Sequence, residues 1–366
     1  MSNPNPGLYV HAPFCPRRCP YCDFYSIGDL SKIPLWLEAL EREVSHQAPY
    51  WTYVFDTLYL GGGSPSVLEP EHLATVKDVL GPLKISPKAE ITLEANPEDV
   101  SEEKVTAWVK LGVNRLSLGV QSFQDKALSG PLGRGHRVGD VIKAMEIVNK
   151  AKLSWSLDLI FGWPGQSDLD WLNDLELAVD SGAGHISTYV LTTAPGSALA
   201  NSYASGELIP VAEAEIADMF LKAGVYLRKY GFERYEVSNF ARKGAYSHHN
   251  LKYWRRDNYL GLGPSAHSFD GARRMANASS VDKWAEALAQ GRTALDLIED
   301  ITPEQALMES LMLRLRLAEG APLKWIKDSE RAEQLARDGY LTKVGALWKP
   351  TEKGFLAADY LARELT

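Results

Sequence analysis

All three cysteines of the chain fall within eight residues, Cys15-Pro-Arg-Arg-Cys19-Pro-Tyr-Cys22, and none occurs elsewhere to pair with them. Three thiolates at this CxxxCxxC spacing can hold three corners of a [4Fe–4S] cluster on one short loop, because cluster ligation wants soft sulfur donors on a compact turn. The fourth iron is then left open, and the amino and carboxylate groups of S-adenosylmethionine (SAM) suit it. Two other chemistries compete. A zinc ion could recruit His11 to complete a Cys₃His set, although zinc ligands come more often as well-separated C-x₂-C pairs. A disulfide would leave one thiol over and needs an oxidising compartment.

Other segments carry polar groups where a folded core would place apolar ones. Gly61-Gly62-Gly63-Ser64-Pro65-Ser66 lacks the Gly-Lys-Ser/Thr of a P-loop, so its use is close approach: bare backbone could meet the methionyl end of SAM beside the cluster. Glu94, Gln121 and Asp158 sit in otherwise apolar runs, and buried carboxylates need partners. A cationic sulfonium with ribose hydroxyls would supply them, and so would ion pairs to Arg115 or Arg134. Gly261-Leu-Gly263-Pro-Ser-Ala266 imitates a dinucleotide fingerprint without the βαβ context, and reads as a tight turn leading into His267. His248-His249-Asn250-Leu-Lys-Tyr253-Trp254 packs two imidazoles, an amide and two aromatic rings into seven residues, a composition that suits an axial iron ligand beside walls for a porphyrin face. The plainer reading is a hydrogen-bonded turn.

These groups need a frame. From Leu8 to about Phe240 a short apolar run, a Gly/Pro turn and a longer amphipathic stretch repeat six times. The runs are Leu8–His11, Thr57–Leu60, Ile91–Glu94, Arg115–Gly119, Trp155–Phe161 and His185–Leu191; Ile33–His46, Val138–Lys150 and Ala212–Tyr230 are helical connections. Six βα units predict a parallel sheet curled into an open, partial TIM barrel, an α/β fold whose chemistry gathers at the C-terminal strand ends. The cysteine loop, the glycine turn, Glu94-Ala-Asn96-Pro97, Gln121-Ser-Phe123 and Gly162-Trp-Pro164-Gly all follow such strands, which puts them on one rim. Residues 241–300 form the histidine-rich segment and a connector with one short helix around Val281–Ala289. Residues 301–366 open on Thr302-Pro303-Glu304, a capped helix start with Leu307, Leu311 and Leu315 on one face. A hairpin over Tyr340–Val344 and Leu347–Lys349 and a last helix capped by Thr351 complete a small winged-helix-like domain.

Hydrophobic residues make up 45% and charged residues 23% of 366, ordinary for a globular protein. The start has neither a basic nor an apolar signal region, and no run of 18 apolar residues occurs, so a reducing cytoplasm is expected. The net charge of −8 argues against broad nucleic-acid binding, and the last 66 residues balance ten Lys+Arg against ten Asp+Glu, which speaks against a DNA reader.

Taken together, Tyr9-Val-His11-Ala-Pro13-Phe14-Cys15-x₃-Cys19-x-Tyr21-Cys22-Asp23-Phe24, Gly61-Gly-Gly-Ser-Pro65, Glu94-Ala-Asn-Pro97, Gly119-Val-Gln121-Ser-Phe123, Leu132-Gly-Arg134-Gly-His136 and Asp158-Leu-Ile-Phe-Gly162-Trp-Pro164-Gly resemble the radical-SAM family of oxygen-independent coproporphyrinogen III oxidases. The resemblance spans essentially the whole chain. The oxidases carry a further cysteine two places after the third, where this chain has Phe24. The haem-chaperone branch, HemW-type, lacks that cysteine and carries His-Asn-x-x-Tyr-Trp, present here from His249 to Trp254.

The resemblance implies a [4Fe–4S] cluster on Cys15, Cys19 and Cys22, SAM near Tyr9, Gly62, Gly63, Ser64 and Glu94, and further SAM contacts at Tyr21, Gln121, Arg134 and Asp158, positions that bind a second SAM in the oxidases. It implies haem as cargo with His249 as iron ligand, Tyr253 and Trp254 as walls, Asn250 as an orienting group and His248 as competitor. Acceptor haemoproteins, respiratory enzymes at the membrane face among them, are the implied partners, with a homodimer open and no catalytic residue assigned. Relatives commonly show Leu-Thr-Ile-Glu-Pro after the sixth strand; here Ala194 replaces the acidic residue in Leu191-Thr-Thr-Ala194-Pro195. The alternatives are the oxidase itself, a radical-SAM enzyme acting on RNA, which would want a basic module, and a structural metal protein.

Overall fold

A computed structural model of the chain describes residues 4–366. Six parallel strands run in chain order across the sheet: β1 (Gly7–Ala12), β2 (Val54–Gly62), β3 (Lys84–Ala95), β4 (Arg115–Gln121), β5 (Ser154–Phe161) and β6 (His185–Val190). Each is followed by helical chain, and the helices cover the apolar outer face; Trp36, Trp108 and Trp171 are fully buried between helix and sheet. Serines start several of these helices, Ser101 accepting from Lys104 N and Ser167 from Asp170 N.

The sheet does not stop at residue 240. Beyond β6 it continues antiparallel through β7 (Glu233–Arg234) and β8 (Asn239–Ala241); at the other side β9 (Tyr259–Leu262) lies parallel to β1 and leads to β10 (His267–Phe269), β11 (Arg273–Asn277) and β12 (Leu295–Asp300). The expected connector over 241–300 is therefore one whole flank of the sheet, and its helix, Val281–Ala289, and the turn between β9 and β10 are as read. The Ala, Gly and Ser of this stretch give little strand signal by composition; pairing to β1 makes the strands.

The barrel is open, with β12 and β7 as its edges. The C-terminal unit has its own three-stranded sheet, β13 (Ala321–Pro322), β14 (Leu341–Val344) and β15 (Leu347–Pro350), in the order β13-β15-β14, with the helices Pro303–Arg314 and Ser329–Arg337 in the winged-helix order. Leu311 and Leu315 enter its core, but Leu307 is exposed. The expected last helix is two, Glu352–Leu356 and Ala358–Leu365.

Candidate functional site

The cysteine loop leaves β1 and is stitched to the neighbouring turn by backbone. Gly63 N donates to Ala12 O (2.9 Å), Ser64 N to Phe14 O (2.8 Å), Cys15 N to Ile27 O (2.9 Å) and Ile27 N to Pro13 O (2.7 Å). This explains the glycines. A Cβ on Gly63 would lie 2.7 Å from Phe14 O, and one on Gly62, which has φ +115°, 2.6 Å from the His11 ring. Close packing of β2 on the cysteine loop already demands both, before any ligand is considered.

All three thiols are free and half-exposed, and burial raises the Cys15 and Cys22 pKa values. Arg134 answers this. Its buried guanidinium places Nη1 3.3 Å from Cys19 Sγ and 3.4 Å from the Tyr21 hydroxyl, and donates from Nη2 to Asn96 Oδ1 (2.5 Å) and Gly119 O (3.4 Å), while Nε is buried without a partner. A fixed cation there suits an anionic group held on the loop. Among the described residues no three His, Cys, Asp or Glu side chains close round a single ion. His11, which a Cys₃His zinc site would need, spends Nδ1 on the Tyr9 hydroxyl (3.0 Å) and Nε2 on Tyr25 O (2.9 Å). Three thiols on an open loop beside a guanidinium fit a cluster that takes one thiolate per iron.

On the same rim Glu94 is half-buried. Its Oε1 accepts from the Tyr59 hydroxyl (2.7 Å) and Oε2 from Gly62 N (3.1 Å); burial first, and the charge of Asp158 besides, push its pKa up to about 7. Asp158 is half-buried too, its pKa raised by desolvation, with only a 3.4 Å contact from Ser117 and help from Ser187. Neither makes the ion pair to Arg115 or Arg134 that the sequence left open: Arg134 turns to Asn96 and Cys19, and Arg115 points toward Ser154 and Ala245 O. Two half-buried, desolvated carboxylates without an ion-pair partner fit a cationic ligand such as SAM, whose ammonium and sulfonium would restore their ionised forms. Ser64 is linked to this set by Asn96 Nδ2 (2.6 Å). Gln121 closes β4 at φ +68°, a strained position for a side chain this long, with its amide over Gly119.

The histidine-rich segment forms the helix His248–Arg255, capped by Ser247 and by Glu90 of β3, which accepts from His248 N (3.2 Å) and His249 N (2.9 Å). It closes the opposite, N-terminal mouth of the barrel. His249 is buried, with Nδ1 2.8 Å from Thr57 Oγ1, Nε2 2.9 Å from the Tyr253 hydroxyl, and its ring stacked 5.0 Å from Tyr59. Burial, then the charge of Lys252, pushes its pKa down to about 3. Both ring nitrogens are therefore occupied in this arrangement, and iron ligation by His249 requires those bonds to be exchanged. His248 is exposed, in a polar cleft at that mouth. Tyr253 faces a cavity shared with Tyr9, whereas Trp254 packs against Tyr246 and Leu317, away from it.

Tyr9, Tyr21, Gly62, Gly63, Ser64, Glu94, Gln121, Arg134 and Asp158 thus gather with the cysteines on the strand-end side, and His249 stands against the base of this set, its ring stacked on Tyr9 and Tyr59. Sequence reasoning passed over Asn96, Tyr59 and Thr57. Period-two alternation along β2 marks Thr57, Tyr59 and Gly61 as one face, so that signal was present. Ala194 lies in the loop between β6 and the helix Ala198–Ala204.

Residues 9–178 match the model of the Radical SAM superfamily. The heme chaperone HemW of Mycobacterium tuberculosis is 36% identical over 98% of this chain and 94% of its own length. The heme chaperone HemW of Escherichia coli is 33% identical over 97% of this chain and 96% of its own. Among solved structures, the Escherichia coli coproporphyrinogen III oxidase (HemN), a radical SAM enzyme, superposes with a TM-score of 0.85 at 21% identity, covering 98% of this chain and 90% of that one.

Proposed function

Because the chain belongs to the radical SAM superfamily and, within it, to the family of the heme chaperone HemW, we propose that it binds haem and hands it to acceptor haemoproteins. The observation that carries this reading is likeness along nearly the whole chain to proteins of that name. In this reading Cys15, Cys19 and Cys22 hold a [4Fe–4S] cluster, with Arg134 beside Cys19 balancing its charge. Glu94 and Asp158 receive the cationic end of SAM, and Ser64 and Asn96 fix the turn that faces it. The cluster and SAM, when bound, would supply one-electron reducing chemistry at the rim; the protein's part is to orient both and to exclude water.

Geometry also supports contact between the cargo segment and the cofactor rim. The helix His248–Arg255 fills the N-terminal mouth and reaches the rim through His249, stacked on the Tyr59 that holds Glu94, and through Tyr253, which lines a cavity with Tyr9. Anaerobic reconstitution is expected to give about four irons and four sulfides per chain. Titration with hemin should produce a saturable Soret band, and mixing with an apo-haemoprotein should move that band to the acceptor. Absence of haem binding, or conversion of coproporphyrinogen III at enzyme-like rates, would overturn the chaperone reading in favour of the oxidase.

A further inference from the structure

Between the first residues of β4 and β5, the middle of β3 and the helix His248–Arg255 lies a polar cleft of about 380 Å³. That is within the range of small-molecule clefts, about 300–1,000 Å³. Arg115, the first residue of β4, lines it and is only 3% exposed. A guanidinium buried so deeply ordinarily lies against a carboxylate, as Arg234 does against Glu352. Arg115 has no acid within ion-pair distance among the described residues. Its Nη1 makes two long contacts, to Ser154 Oγ (3.5 Å) and Ala245 O (3.4 Å), and its other N–H groups donate to nothing. The uncompensated charge is felt by His185, whose pKa is lowered by burial first and by Arg115 second.

The other charged groups of the cleft are mostly spent on one another. Asp56 pairs with Lys252 (2.7 Å), Glu90 accepts the two amides at the start of the helix, and Asp257 lies near the charges of Lys252, Arg255 and Arg314. Lys252 donates to Asn5 O as well, and Arg255 pairs with Glu319. Left unspent among the described residues are Arg115, the exposed side chains of Lys88 and His248, and the hydroxyl of half-buried Tyr246. Each offers an N–H or O–H, and two of them carry a full positive charge. Donors without acceptors, gathered round a buried cation, are the complement of a carboxylate.

We propose that this cleft anchors the propionate carboxylates of the haem, with Arg115 at its depth and Lys88 at its entrance. The assignment rests on the reading of haem as cargo and leaves iron ligation to the helix His248–Arg255, whose first residue also lines the cleft. A polar cleft of this size takes the charged edge of a macrocycle and leaves the apolar face outside it. The planar fork of Arg115 matches a carboxylate with two parallel hydrogen bonds, and the anion removes the cost of a buried, unpaired guanidinium. Lys88, a point charge on a flexible stem, serves the second propionate.

The test uses the full chain with reconstituted cluster and two probes, hemin and hemin dimethyl ester, which keeps the iron and the ring but has no free carboxylate. The parent is expected to bind hemin more tightly than the ester by roughly tenfold or more. Arg115→Gln should weaken hemin binding by roughly tenfold and Lys88→Ala by roughly threefold, with ester binding and the Soret maximum of bound hemin unchanged, because the iron ligand lies elsewhere. Arg115→Lys, which keeps the charge, should recover part of the loss. Lys88 is exposed, so Lys88→Ala decides the matter if Arg115→Gln does not fold. A parent that binds no hemin sinks the cargo reading and this site together. A parent that binds hemin and ester alike, or variants that lose both probes in equal measure, sinks the propionate site alone and leaves the cargo reading standing.

Discussion

Glu94 is held between the Tyr59 hydroxyl and Gly62 N, and its raised pKa, about 7, follows chiefly from burial. A carboxyl whose folded pKa lies above its unfolded value of 4.5 binds more protons folded than unfolded between those values. Stability from this site is thus greatest below about pH 4.5 and declines as pH rises toward 7. Glu94→Gln cannot ionise, so without ligand it is expected to show a shallower decline than the parent, by up to ~3 kcal/mol across that window. Thermal melts at pH 5 and pH 8 measure it, and parallel slopes would refute the desolvated, uncompensated carboxylate. The same substitution should weaken SAM binding, because a neutral amide no longer pairs with an ammonium; calorimetry reads that separately. Gly62→Val, by contrast, is no clean probe of SAM, since the new side chain would strike the His11 ring and strain a φ of +115°.

At the scale of elements, the helix His248–Arg255 is only eight residues long and owes its existence to its ends. Ser247 accepts from Asn250 N, Glu90 takes the amides of His248 and His249, and Arg256 ends it in the left-handed region. A carboxylate at a helix N-terminus satisfies open donors and meets the positive end of the dipole. Glu90→Ala is expected to cost about 1–2 kcal/mol and to loosen His249 from Thr57. Hydrogen exchange over 248–255 should rise while the strands β1–β6 stay protected; uniform exchange would show that the helix is held by its packing alone.

At the scale of the molecule, the C-terminal unit is fastened rather than tethered. Val237 N donates to Arg316 O and Ala318 N to Tyr235 O, and Glu309 pairs with both Arg256 and Arg274. Most telling is Arg234, whose side chain is 2% exposed, lies 4.1 Å over Phe220 and 4.3 Å over Phe240, and meets Glu352 at 2.9 Å. Glu352 also pairs with Arg228. Removing the acid leaves a buried guanidinium unpaired, so Glu352→Ala should destabilise by about 3–5 kcal/mol and Glu352→Gln by less. Calorimetric melting tests it: a single transition at lowered temperature is expected, and an unchanged one would mean that solvent already neutralises Arg234. No helix among the described residues is long and apolar enough to cross a membrane.

The residues alone determined the cysteine loop, the six βα units and the capped helices, because each is a local matter. Cysteine spacing, alternation along a strand, and Thr302 before Pro303 act within a few residues, and the strands β1–β6 lie where the apolar runs put them. The rim was legible for the same reason, as chemistry following a strand of a parallel barrel must share its end. Only the tertiary structure decided that Arg134 serves Cys19 and not Asp158, since its partners come from β3, β4 and the cysteine loop at once. It alone also showed that residues 241–300 extend the sheet and that His249 is a buried plug with both nitrogens taken. Those facts depend on which distant segments meet, and whether an imidazole is spent or available is settled by neighbours up to 192 residues away, as with Thr57 and His249.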